Sequence, residues 1–144
     1  MHPGALRALE FDRVVSVVTG LALTPTGEAR LAQLRPLTDA ARVIAAQRAT
    51  SEGARFLADN PGFPLRAPAD LEAILDALGV EGRPLEPLRL LALADYLESI
   101  EQSRGAIARL GSSFPVLANL VEAVAAFRTE IADIRRKIQR PVLR

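Results

Sequence analysis

The sequence predicts an all-α fold, a bundle of about six helices joined by short loops. Three observations predict it. Apolar residues recur at three- and four-residue steps from end to end, prolines and glycines punctuate those runs, and no pair of alternating runs flanks a hairpin turn. A chain of 144 residues, 49% hydrophobic and 24% charged, suits one ordinary globular domain rather than a disordered segment.

In the first segment Leu6, Leu9, Val14, Val17, Val18 and Leu21 fall largely on one helical face. The β-branched run Val14-Val15-Ser16-Val17-Val18 also fits a strand, but no turn and partner strand flank it. Thr24-Pro25 reads as a helix start, with a capping hydroxyl followed by a proline where no N–H is needed. That helix runs through Leu31 and Leu34 and stops before Pro36. Thr38-Asp39 restarts the chain as a helix whose face is Val43, Gln47, Thr50, Ala54 and Leu57, with Ile44 beside them.

Residues 60–68 hold three prolines and a glycine and form a loop. Leu71, Ile74, Leu75 and Leu78 mark a short amphipathic helix, which Gly79 closes as a left-handed terminal residue. Glu86-Pro87 opens a longer helix with Leu90, Leu93, Leu97 and Ile100 at core spacing, ending near Gly105 or Leu110. In the last segment Leu117, Leu120, Val124, Phe127, Ile131, Ile134 and Ile138 alternate steps of three and four. That heptad seam predicts one long helix. So narrow a seam suits two long helices packed side by side and equally a core helix of a compact bundle.

Several chemistries are excluded outright. Cysteine is absent and His2 is the only histidine, so disulfides, Cys/His zinc sites and histidine-based triads are out. Lys137 is the only lysine and no glycine-rich phosphate loop precedes it, so the chain alone is no Walker-type ATPase. Gly79-Val80-Glu81-Gly82 matches the GxxG with which KH domains clamp nucleic acid, but Glu81 repels phosphate and a helix terminator with a turn explains it better. Glu72 and Asp76, and Glu98 and Gln102, lie one helical turn apart and read as solvated faces. Ser16, Ser51, Ser99, Ser103, Ser112 and Ser113 have no base at hand. No catalytic residue, metal ligand or cofactor site is therefore expected in this chain.

Net charge is +1, against a whole-domain electrostatic binder of nucleic acid, yet its distribution is uneven. From residue 126 onward the balance is +4, leaving about −3 for the rest. Cations near a helix end complement its dipole, which explains most of the cluster. The other reading is phosphate contact by Arg135, Arg136, Lys137 and Arg140, without base stacking, since no aromatic residue interleaves them.

The order of these features carries a resemblance. Leu9-Glu10-Phe11-Asp12-Arg13-Val14, then Thr24-Pro25-Thr26-Gly27, then Leu34-Arg35-Pro36-Leu37-Thr38-Asp39 follow at spacings similar to the N-terminus of the second bacterial type of MutS protein, the paralogue that ends in an Smr domain. Thr50-Ser51-Glu52-Gly53-Ala54, and Asp70-Leu71 through Leu85-Glu86-Pro87-Leu88, resemble its next helices. The resemblance implies that residues 1–138 are part of a MutS-type helical core and lever domain. Residues 139–144 would be the truncated entry to the lever and clamp, because Gln139-Arg140-Pro141-Val142-Leu143-Arg144 replaces the family's longer connection.

What the resemblance implies is larger than this chain. It implies a non-catalytic fragment of a cytoplasmic parent that controls DNA recombination and repair and rescues collided ribosomes. The parent would be an ATPase using ATP and Mg and an Smr endonuclease, would dimerise through its ATPase domains, and would bind DNA and ribosomal RNA but no membrane. The partner of this chain would be the remainder of that parent. The alternative is a free-standing helical interaction module that uses the heptad face to bind a protein or itself.

Overall fold

The longest helix, Pro87–Arg109, organises the molecule. It is α5 of the seven helices described in a computed structural model, which covers Gly4 and residues 10–138. The others are α1 (Phe11–Thr19), α2 (Pro25–Ala32), α3 (Ala40–Asp59), α4 (Leu71–Leu78), α6 (Pro115–Glu122) and α7 (Arg128–Ile138). No strand occurs among the described residues, as the helical periodicity predicts. Helices α4, α6 and α7 pack on α5, α3 packs on α6, and an α1–α2 hairpin rests on α4 through α2.

The helix starts follow local chemistry. Thr24 Oγ1 accepts the Gly27 N–H at 3.0 Å and Pro25 takes the first helical position. Asp39 Oδ1 accepts the Arg42 N–H at 2.8 Å. Two expected ends move. Helix α2 stops at Ala32, leaving Leu34 outside it. Gly79 closes α4 with φ −70°, right-handed rather than left-handed, and the positive φ of that turn falls on Gly82 at 77°. The GxxG is a turn between two helices.

Two expected core faces are also corrected. On α3 the buried residues are Glu52 and Phe56, whereas Leu57 is half exposed. The cause is the aromatic cluster: Phe56 meets Phe63 and Phe114 edge-on, at centroid distances of 5.8 and 5.3 Å, with Ile107 buried beside them. On α1 the half-buried residues are Phe11, Val15, Val18 and Thr19, while Val14 and Val17, and Leu21 just beyond the helix, face outward. Leu6 and Leu9 lie outside the described residues.

The largest correction concerns the C-terminal segment. The single heptad helix predicted from Leu117 to Ile138 is two helices, interrupted at residues 123–127. The interruption lets α6 turn Leu117 and Val121 toward Phe56, Ile107 and Phe114, while α7 keeps Ile131, Ile134 and Ile138 half-buried. Polar side chains of α5 occupy the backbone groups that the interruption frees.

Candidate functional site on the central helix

Four polar residues spaced along α5, at positions 95, 98, 101 and 104, meet the backbone and side chains of α7 and its approach. Each adjacent pair, three residues apart, adjoins on the helix surface, so the row winds around α5. Glu101 is the hub. Its Oε1 accepts the Phe127 N–H at 3.0 Å, one of the donors that the start of α7 leaves without an intrahelical partner. Its Oε2 lies 3.4 Å from both Arg104 and Arg128. The Glu101 side chain is only 11% exposed. The Phe127 N–H holds its carboxyl below the usual carboxylate value, with Arg104 and Arg128 adding to the effect and burial opposing it.

Arg104 works on the other side of the interruption, donating from Nη1 to the Val124 carbonyl at 3.3 Å. One residue therefore caps the start of α7 and its neighbour one turn away caps the chain leaving α6. Farther along, Arg135 Nη2 donates to Asp95 at 3.0 Å and to Glu98 at 2.6 Å, clamping α7 onto α5. Two further buried polar side chains are also hydrogen-bonded. Glu52 Oε1 accepts the Leu117 N–H at 2.8 Å and so caps α6 from α3. Ser99 Oγ accepts the Arg66 N–H at 3.1 Å and lies 3.0 Å from the Arg66 carbonyl and 2.7 Å from that of Tyr96, tying the 60–70 loop to α5.

Of the four residues read as phosphate contacts, Arg135 is engaged in this clamp, and Arg136 pairs with Asp133 at 2.6 Å on its own helix. Lys137 is exposed and makes no ion pair among the described residues. Arg140 lies outside the described residues. The acidic pair Glu72 and Asp76 is exposed on α4, and Glu98 is turned to Arg135 rather than to Gln102. No group of three or more His, Cys, Asp or Glu side chains that could hold a metal occurs among the described residues. No described helix is long and apolar enough to cross a membrane.

Of the polar row on α5, sequence reasoning names only Glu98, as a solvated residue one turn from Gln102. Glu101 and Arg104 at three-residue spacing signal an ion pair on one helix, but nothing near them announces that their targets lie twenty or more residues onward. Glu52, one turn before Phe56 on a buried stripe, is the kind of residue whose position alone demands a partner.

The chain is similar to curated proteins named Endonuclease MutS2. It is 28% identical over 136 residues to that of Thermomicrobium roseum, covering 92% of this chain and 17% of the relative. To that of Pelotomaculum thermopropionicum it is 26% identical over 99% of this chain and 18% of the relative. To that of Solidesulfovibrio magneticus it is 31% identical over 76% of this chain and 14% of the relative. The chain thus spans less than a fifth of the length of these relatives. No protein-family model matches it, and no solved structure does. With an all-α fold and similarity along most of its own length, the chain is a MutS2-related helical region.

Proposed function

We propose that this chain is a non-catalytic core and lever element of a MutS2-type machine, which carries movement from ATP-hydrolysing domains to parts that grip or cut nucleic acid. The observation that carries the reading is the mechanical build of α5: α7 is fixed along it by a helix cap at Glu101 and a two-carboxylate clamp on Arg135. Stiff elements joined by specific polar contacts transmit rotation, where an irregular loop would absorb it. The name of the relatives, endonuclease, supports a parent that acts on nucleic acid. The half-buried setting of Ile131, Ile134 and Ile138 supports this reading over a free-standing module that offers its heptad face to a partner.

The test joins residues 1–144 to the remaining parts of a relative and compares this chain with one carrying Arg135→Ala. Unchanged ATP hydrolysis with a loss of ATP-dependent DNA cleavage is the expected result. Equal loss of both, or of neither, contradicts a transmitting role. Residues 1–144 alone are expected to hydrolyse no ATP and cleave no DNA, and cleavage by the isolated chain would overturn the non-catalytic reading.

A further inference from the structure

Nothing in the local sequence explains why residues 115–138 bend. No glycine or proline occurs between Pro115 and Pro141, and three of the five residues at the interruption are alanines, the strongest helix formers. The apolar seam from Leu117 to Ile138 keeps its helical period straight through it. Nevertheless the chain leaves the helix at Ala123 and re-enters it at Arg128.

The groups that hold the bend are the same groups a straight helix would use. In an unbroken helix the Phe127 N–H donates to the Ala123 carbonyl, and the Val124 carbonyl accepts from the Arg128 N–H. Here the Phe127 N–H goes to Glu101 and the Val124 carbonyl to Arg104. Side chains of α5 and the helix itself compete for one donor and one acceptor. The bend also takes Leu120 off the seam: it is 62% exposed, although the period places it in one row with Phe127 and Ile134.

We propose that residues 115–138 are a two-state segment, bent while Glu101 and Arg104 hold the Phe127 N–H and the Val124 carbonyl, and one continuous helix when Ala123 and Arg128 take their place. The two states differ in the phase of α6. The bent state puts Val121 against the aromatic cluster, and the straight state returns Leu120 to the seam. This inference rests on helix chemistry and stands whether or not the chain serves as a lever.

The test is residue-resolved NMR of the 144-residue protein and of Glu101→Ala/Arg104→Ala, which leaves the best helix former at both α5 positions. In the unaltered protein Ala125 and Ala126, which lie outside both helices, are expected to give coil carbon shifts. In the double variant these shifts are expected to become helical, with amide exchange at Ala126 slowed roughly tenfold or more as its N–H enters the helix. Adding Ala126→Pro is expected to return coil values, because proline inside a helix removes a donor and clashes with the preceding turn. If the double variant does not fold, Arg104→Ala alone is read in the same way, its partly exposed side chain leaving the core intact. Coil values at Ala125 and Ala126 and fast exchange at Ala126 in the folded variant would overturn the proposal.

Discussion

Between α5 and α7 an arginine bridges two carboxylates and a glutamate caps a helix from across the interface, whereas between α1 and α2 no side-chain hydrogen bond crosses among the described residues. The apolar contrast separates α4 and α5 from α1 and α2, whereas α7 itself buries no residue fully. Helices α4 and α5 bury Leu71, Ile74, Ala77, Leu93, Ala94 and Ile107, while α1 and α2 bury no residue fully. Val14, Val17 and Leu21 of the first region stay 53%, 68% and 75% exposed. Both regions carry helical periodicity, and each has one locally made start, at Thr24-Pro25 for α2 and at Pro87 for α5. Periodicity makes a helix, but only burial and polar partners from other helices hold it in one place.

The comparison can be broken from either side. The largest effect is expected at the aromatic cluster, where Phe56, 2% exposed, contacts two other rings. Phe56→Ala should cost about 3–5 kcal/mol in urea unfolding, through lost transfer free energy and the cavity left behind. A cost below about 1 kcal/mol would mean that the cluster is not the anchor of α3 and α6.

A middle-sized effect is expected from acid. Because the folded Glu101 carboxyl lies below its ordinary value of 4.5, the unfolded chain binds the proton first as pH falls. Its contribution is present above about pH 4.5 and is lost as pH drops through the folded value. Glu101→Gln should therefore lower stability near neutral pH by about 1–2 kcal/mol, the scale of a lost charged cap, and flatten the acid limb. Parallel acid limbs for the two proteins would remove Glu101 from its place as hub.

The smallest effect is expected on α1. Val17→Ser removes an exposed methyl pair and should change stability by no more than about 0.5 kcal/mol. A loss of several times that, read by the same urea titration, would show that this face is covered in solution.

How much could be read from the sequence follows the same division between local and distant causes. The starts at Thr24-Pro25, Asp39 and Pro87 depend on residues within one turn, and the structure has helices beginning at each. The loop at 60–68 and the α4 residues Leu71 and Ile74 were legible for the same reason. The face of α3 was not, because a stripe through Val43 and Leu57 is as periodic as one through Glu52 and Phe56. Only the position of Phe114, far along the chain, selects between them. The interruption at 123–127 was illegible because its cause sits on α5, and Arg135 read as a helix-end or phosphate-contacting cation because Asp95 and Glu98 meet it only in three dimensions.

Native-state amide hydrogen exchange across residues 10–138 tests the contrast most directly. Amides of α4, α5 and α7 are expected to exchange only through the largest opening of the molecule, and those of α1 and α2 through openings of much lower free energy. Equal protection in the two regions would contradict the account, since it would mean that local periodicity alone, without buried side chains or polar ties, holds α1 and α2 as firmly as the clamp holds α7.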